Sequence, residues 1–198
     1  MRRILMMFSA LIVCYSAIAD GGAMQVVQRV ARYVKSLGGY EVNFILTSGE
    51  YAAKGYFSVE GDAYYMNVGV AEVYSDGKVR YEVDNERREI NVDYVNLSSR
   101  NILDNPTRCF DFVGSDYKVR SEQVRGEDIT LSLSSENKDN VGVIRLVSDA
   151  KTGRPSALEY EMYDEKVKVN ILSIEGNKKP IKRFEQANYR NYEKIDFR

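Results

Sequence analysis

From Tyr40 onward the sequence repeats one device: a short run with an apolar side chain at every second position, followed by a turn. Tyr40, Val42, Phe44 and Leu46 alternate up to Ser48-Gly49. Phe57 and Val59 lead into Gly61-Asp62, and Tyr64, Met66 and Val68 follow. Asp76-Gly77, a strong hairpin signal, divides Val70 to Ser75 from Val79 to Val83, and Asn85 turns that run into Glu89 to Asp93. Alternation returns at Tyr117-Lys118-Val119 and at Ile129, Leu131 and Leu133. Beyond the polar loop Glu136 to Asn140 come Val141 to Val147, Ser156 to Tyr163 and Val167 to Ile174, with Thr152-Gly153-Arg154-Pro155 as a further turn. A period of two interrupted by turn residues specifies antiparallel strands, and about eleven of them are enough to curl a twisted sheet toward a barrel.

Three stretches leave that pattern. Residues 22–37 carry Met24, Val27, Val30, Ala31, Val34 and Leu37 at intervals of three and four, opposite Gln25, Gln28, Arg29, Arg32 and Lys35. This is an amphipathic helix that Gly38-Gly39 ends, and its apolar stripe must pack on something. Between Leu97 and Val113 the apolar residues have no period of two and Asn105-Pro106 interrupts them, so one or two short helices crossing the sheet are expected. The tail from Asn177 to Arg198 is charged but contains Phe184, Tyr189, Tyr192, Ile195 and Phe197, which predicts a docked segment. No linker, repeat or low-complexity run divides residues 20–198, and one domain is expected there.

The N-terminus reads as an export signal. Met1-Arg2-Arg3 is basic, Ile4 to Ile18 is nearly all apolar, and Ala17-Ile18-Ala19 supplies small residues for cleavage. The apolar run is about 15 residues, too short to cross a hydrocarbon core of ~30 Å comfortably. Cys14 stands in a loose echo of a lipidation signal, but Val13 takes the place of a small residue. Removing residues 1–19 takes Arg2 and Arg3 from 28 Lys+Arg set against 29 Asp+Glu, and a mildly acidic chain is a poor partner for nucleic acid or an anionic membrane. It also leaves Cys109 as the lone thiol, so no disulfide forms within the mature chain.

The sequence contains no histidine, which removes Ser-His-Asp and Cys-His catalysis and every His-based metal motif. No Gly-rich phosphate cradle appears, and no catalytic residue, cofactor or metal site is assigned. The 15 tyrosines suit strands and amphipathic walls whose hydroxyls reach polar partners.

The order of these pieces resembles the LolA-like periplasmic lipoprotein carriers, in the divergent form found in Bacteroides-type bacteria. The resemblance rests on the signal peptide and the helix before Gly38-Gly39. It rests further on Tyr74-Ser75-Asp76-Gly77-Lys78 followed by Val79-Arg80-Tyr81, on the Pro106 insertion ahead of Tyr117-Lys118-Val119, and on the ending Ile195-Asp196-Phe197-Arg198. It implies a mainly β fold: a half-open antiparallel barrel with helices on its concave side. It also implies a monomeric periplasmic carrier that holds the acyl chains of lipoproteins, or another lipid, in an apolar cavity and ferries them toward the outer membrane without covalent chemistry. An inner-membrane release complex and an outer-membrane receptor are the protein partners it implies.

On that reading the cavity wall is drawn from Phe44, Leu46, Phe57, Val59, Met66, Tyr81, Val83, Ile90, Val92, Leu131, Leu133 and Met162, and the lid from Ile102, Leu103, Phe110 and Phe112. Alternation alone is equally satisfied by a dry core. The chain departs from the well-studied carriers at one point. There an arginine near the start of the sheet hydrogen-bonds the lid, whereas here Tyr40 to Ser58 contains no arginine and only Lys54 as a cation.

Two other classes compete. Glu159 and Glu161 lie two apart on one strand face and Asp111 sits among apolar neighbours, which allows a glycosidase-type carboxylate pair to be drawn; charged residues more often form a solvated face. The stronger rival is a non-carrier envelope module on the same scaffold that senses lipid or receives a protein segment. The export reading makes a direct prediction: N-terminal sequencing of the exported protein should begin at Asp20, and a lipid-modified Cys14 at the start would overturn it.

Overall fold

The structure is a computed structural model that describes residues 20–137, 142–162 and 165–198, except for the side chains of residues 20, 21, 162 and 165. The expected signal peptide, Cys14, part of the Glu136 to Asn140 loop and the Met162 side chain fall outside what is described.

The helix α1 (Asp20–Ser36) is followed by six strands: β1 (Tyr40–Ser48), β2 (Tyr51–Glu60), β3 (Ala63–Val68), β4 (Ala71–Ser75), β5 (Val79–Asp84) and β6 (Glu89–Tyr94). After the irregular segment come β7 (Tyr117–Arg125), β8 (Asp128–Ser135), β9 (Val143–Asp149), β10 (Pro155–Met162) and β11 (Glu165–Gly176), then a 3-10 turn at Gln186–Tyr189 and β12 (Glu193–Asp196). All the described strands join one open sheet in the order β12-β6-β5-β4-β3-β2-β1-β11-β10-β9-β8-β7. This is the half-open barrel that the family resemblance implies. The first strand lies in the middle because β1 pairs antiparallel with both β2 and β11.

Irregularities bend the sheet. Leu172 is skipped where β11 pairs Asn43 and Phe44, Ser156 where β10 pairs β9, and Glu122 where β7 pairs β8. An unpaired extra residue bends its strand and increases the local twist. Phe44 lies directly opposite Gly55, and its ring occupies the place where a Cβ would stand, 2.1 Å from the ring edge. Glycine in mid-strand is thus covered by the aromatic ring across from it.

Register decides which side chains share a face. Val42, Phe57, Met66 and Val73 stand in one row, which continues through Ile174 on β11. Val169, Leu158, Leu146 and Leu131 make a second row that starts at Leu46. These rows meet Ala23, Val26, Val27 and Val30 of α1 and form one buried core on the concave side. The helix is amphipathic as its periodicity predicts.

On β5 and β6 the alternation runs the other way. Val73 stands opposite Glu82 and Glu82 opposite Asn91, while Ser75 stands opposite Arg80 and Arg80 opposite Asp93, so polar residues face inward there. Tyr81, Val83, Ile90 and Val92 consequently face the convex side, where the tail covers them. Phe184 stacks on Tyr81 with centroids 4.0 Å apart and on Tyr189 at 5.5 Å. The Glu72 carboxylate accepts hydrogen bonds from Tyr65 at 2.6 Å and from Tyr74 and Tyr189 at 3.2 Å. Burial of Glu72 works toward a higher pKa, but hydrogen bonds from Tyr65, Asn85, Tyr74 and Tyr189 outweigh it and hold the carboxyl below its ordinary value. The tail ends as β12, parallel to β6, a strand that the sequence reading treats only as part of a docked tail.

The helix is held from the side by the β9–β10 turn. Gly153 has a φ of +77°, and a Cβ there would lie 2.4 Å from the Arg29 carbonyl carbon and 2.6 Å from Val30 N. Gly126 has a similar φ of +62° but open space around it. Gly126→Ala should therefore cost only the left-handed backbone penalty, about 1–2 kcal/mol. Gly153→Ala should cost more, roughly 2–4 kcal/mol, because α1 must also shift. Urea unfolding of both variants checks the difference, and equal losses would remove the proposed contact between turn and helix.

Candidate functional site

Residues 97–113 cross the concave side, yet as a succession of turns and not as the short helices that the sequence suggests. The local chemistry explains this. The Asn101 and Asn105 side chains accept hydrogen bonds from Leu103 N at 3.0 Å and Thr107 N at 3.2 Å, competing with the helical ladder. Pro106 has no N–H to donate and disfavours the helical region for the residue before it. What remains are isolated turns, such as Asp104 N to Asn101 O at 3.1 Å and Asp111 N to Arg108 O at 3.0 Å.

The segment nevertheless plugs the half-barrel. Ile102, Cys109, Phe110 and Phe112 are buried in the inner core, and Leu103 is half-buried against it. Of the residues expected to form the wall, Phe44, Leu46, Phe57, Val59, Met66, Leu131 and Leu133 are all buried on this concave side. Tyr81, Val83, Ile90 and Val92 are not part of that face, for the register reason already given, and this corrects the expected wall. The inner face gains Val42, Ile144, Leu146, Leu158 and Val169 in their place. The concave face is closed over by α1 and residues 97–113.

The closure is fastened by groups that the sequence reading did not single out. Tyr40 on β1 donates its hydroxyl to Pro106 O at 3.1 Å, and Tyr64 on β3 donates to Asp104 O at 3.0 Å. The Tyr160 hydroxyl on β10 accepts from Ile102 N at 3.0 Å and donates to Arg100 O at 3.4 Å. Burial pushes the Tyr64 phenol up to about 12 and the phenols of Tyr40 and Tyr160 well above their ordinary value, so all three stay protonated and able to donate. Arg80, inward-facing on β5, pairs with Glu82 at 2.7 Å and reaches Leu103 O at 3.5 Å. An arginine that reaches residues 97–113 is therefore present, supplied by β5 and not by the start of the sheet. The signal was available in principle: Tyr40, Tyr64 and Tyr160 share the parity of Val42, Met66 and Leu158, and a buried tyrosine hydroxyl needs a partner.

A cleft of about 340 Å³ opens at the margin of this closure. Its apolar side is Ala31, Val34, Tyr40 and Phe110; its polar side includes Lys35, Asp62, Arg108 and Asp111. A smaller cleft of about 190 Å³ lies under the tail between Tyr74, Tyr81 and Phe184.

The carboxylates weighed for catalysis are engaged elsewhere. Arg145 donates to Glu159 at 3.1 Å, to Glu161 at 3.0 Å and to Glu122 at 3.0 Å, forming an ion ladder on the convex face. Asp111 pairs with Arg108 at 3.0 Å. Among the described residues no group of His, Cys, Asp and Glu could hold a metal ion, and no helix is long and apolar enough to cross a membrane.

Comparison of the fold places it among known structures. The chain is similar to an uncharacterized conserved protein from Thermus thermophilus at a TM-score of 0.54 and 9% identity, over 88% of this chain and 98% of that one. The two share a fold. It is also similar to a LolA superfamily protein from Nitrosomonas europaea, at a TM-score of 0.44 and 10% identity over 80% and 94% of the two chains. A third similarity is to the MucA/MucB complex of Pseudomonas aeruginosa, at a TM-score of 0.37 and 16% identity over 83% of this chain and 60% of that one. No protein-family model matches the sequence, and no curated protein matches it.

Cys109 offers a readout of the closure. Its thiol is fully buried, donates to Pro106 O at 3.2 Å, and is pushed well above its ordinary pKa by burial, so a maleimide should reach it only in molecules whose segment has opened. Tyr160→Phe would leave the buried Ile102 N–H without its acceptor, at a cost of about 1–3 kcal/mol. Labelling of Cys109 should then rise about tenfold while the circular dichroism spectrum is unchanged. An unchanged rate would mean that Tyr160 does not fasten the segment.

Proposed function

We propose that this protein is an exported, periplasmic carrier that takes the acyl chains of lipoproteins, or of another lipid, onto its concave face by displacing residues 97–113. It moves them toward the outer membrane without covalent chemistry. One observation carries the reading: an extensive apolar wall is covered by a segment without regular structure, whose polar fastenings come from the wall itself.

The magnitudes suit a reversible exchange. Each of the buried lid side chains Ile102, Phe110 and Phe112 contributes about 1.5–3 kcal/mol by leaving water, and each methylene of a ligand about 0.8 kcal/mol. An acyl chain of about sixteen carbons therefore offsets roughly 12 kcal/mol, comparable to or above what the lid gives up. The tyrosine bonds add a modest barrier, since a neutral hydrogen bond nets about 1 kcal/mol. The wall assigned to the ligand is Phe44, Leu46, Phe57, Val59, Met66, Leu131 and Leu133, with Ile102, Leu103, Phe110 and Phe112 as the displaced plug. A second reading is favoured by the filled state of the concave face: an envelope module whose wall receives a protein segment in place of a lipid.

Phe112→Ala separates these roles. If Phe112 competes with an acyl chain, its removal should strengthen binding of a fluorescent fatty acid by about tenfold, although large-to-small changes in a core destabilise the fold by roughly 3–5 kcal/mol. Displacement of the probe by an acylated peptide, with Cys109 becoming reactive as the peptide is added, is the expected result for the folded variant and wild type. Weaker or unaltered probe binding, with Cys109 still protected, would assign Phe112 to fixed core and sink the carrier reading.

A further inference from the structure

We propose that the closure over the concave face opens in order: residues 107–113 lift first, away from α1, while 100–106 stay fastened to the sheet, with the Arg100 guanidinium as the clasp between the two halves. This deepens the carrier reading by naming where the acyl chain enters, and it rests on that reading only for what the opening serves.

The fastenings are unevenly placed. Tyr160 holds Ile102 N and Arg100 O, Arg80 reaches Leu103 O, Tyr64 holds Asp104 O and Tyr40 holds Pro106 O. All five bonds from the sheet land on residues 100–106, and among the described residues none lands on 107–113. The second half is held to the wall by burial of Cys109, Phe110 and Phe112, with the Phe112 ring edge-on to Tyr117 at 5.5 Å.

Packing is uneven in the same sense. The cleft of about 340 Å³ lies between Ala31 and Val34 of α1 and Thr107, Phe110 and Asp111, so the helix and this half of the segment are not in full contact. Space without atoms forfeits dispersion attraction, and lifting 107–113 breaks little there. Gly114, just beyond this half, has a φ of +70° and open space where a Cβ would stand, so its backbone can rotate without meeting a neighbour. At the other end Thr107 N and Arg108 N donate to Asn105, bonds local to the turn that serves as the hinge.

One bond between the halves is not local. Arg100 donates Nε to Asp111 O and Nη1 to Ser98 O at 3.0 Å, while its own carbonyl is held by Tyr160. A guanidinium donor makes the bond to Asp111 charge-assisted and stronger than a neutral one, and it ties 107–113 to the half that the sheet holds. Lifting the second half alone breaks this bond and exposes Phe110 and Phe112. Lifting the whole segment spares it but breaks the five sheet bonds and exposes Ile102 as well. The smaller opening disrupts fewer bonds and less apolar surface, which makes it the more populated one.

Maleimide labelling of the ligand-free exported protein at two positions tests the order. Cys109 reports on the second half, and Ile102→Cys in a Cys109→Ser background reports on the first. With each rate divided by that of the same thiol in urea, Cys109 should react at least about tenfold faster than the thiol at position 102. Arg100→Met should raise the Cys109 rate about tenfold further and leave position 102 unchanged. Tyr160→Phe should raise both, because Tyr160 holds both Ile102 and Arg100. Melting curves confirm that the variants are folded. Amide exchange of the unsubstituted protein gives the order independently should a variant unfold: Asp111, bonded within the second half, should exchange faster than Ile102 and Asp104 at the fastened end. Equal rates at the two positions, a faster rate at position 102, or a Cys109 rate unmoved by Arg100→Met would overturn the proposal.

An acylated peptide keeps the two readings apart. If it leaves both thiols protected while the ligand-free order holds, the carrier reading fails and the ordered opening stands. If it exposes both thiols in a protein whose ligand-free rates are equal, the carrier reading stands and the ordered opening fails.

Discussion

Burial of the inner face of β1 is the constraint from which the remaining arrangement follows. β1 is paired on both sides, so its inward side chains Val42, Phe44 and Leu46 lie at the bottom of the half-barrel, with apolar rows running outward along β2–β4 and β11–β8. An open sheet cannot bury such rows by closing on itself, and the chain has to supply a cover. α1 covers part, locked by the Gly153 turn, and residues 97–113 cover the remainder. The convex side is the complement: on β5 and β6 the inward positions are polar, with Arg80 meeting the inner cover at Leu103 O, and the apolar residues turn outward, where the tail covers them.

Most of the fold was legible in the sequence because strands and turns announce themselves locally. The Asp76-Gly77 hairpin forms as expected, with Asp76 Oδ1 accepting from Lys78 N at 2.8 Å and Val79 N at 2.9 Å. Eleven of the strands occupy the segments that alternate. Face assignment was not legible in the same way. Tyr81, Val83, Ile90 and Val92 alternate as regularly as Phe44 and Leu46, and a period of two says that one face is apolar without saying which one. That information lies in the register of β4 against β5, where Val73 meets Glu82, and register is a property of paired strands.

The irregular segment shows a different limit. Its apolar content announced that it would be buried, and Ile102, Phe110 and Phe112 are; its conformation depended on side-chain competition by Asn101 and Asn105, which periodicity does not measure. The arginine that contacts residues 97–113 was sought near the start of the sheet because the family resemblance placed it there. Distance along the chain is a poor guide in a curled sheet, and Arg80 reaches Leu103 from β5.

Tyrosine hydroxyls fasten both covers of this sheet, but with acceptors of different strength. On the convex side Tyr189 of the tail donates to the Glu72 carboxylate, which Tyr65 and Tyr74 of the sheet also hold, and charge-assisted bonds of this kind are about twice as strong as neutral ones. Tyr74 and Tyr189 also bond each other at 2.8 Å, and Lys182 sits 4.5 Å over the Tyr65 ring, so each fastening supports its neighbours. On the concave side Tyr40, Tyr64 and Tyr160 each bond separate backbone groups of an irregular segment, with neutral partners throughout. Such bonds can be exchanged singly, and each is worth about 1 kcal/mol net. The tail is thereby built as a fixed part of the sheet, and the concave cover as the part whose polar attachments are the weaker, which is the asymmetry a protein needs if only one of its two faces is to open.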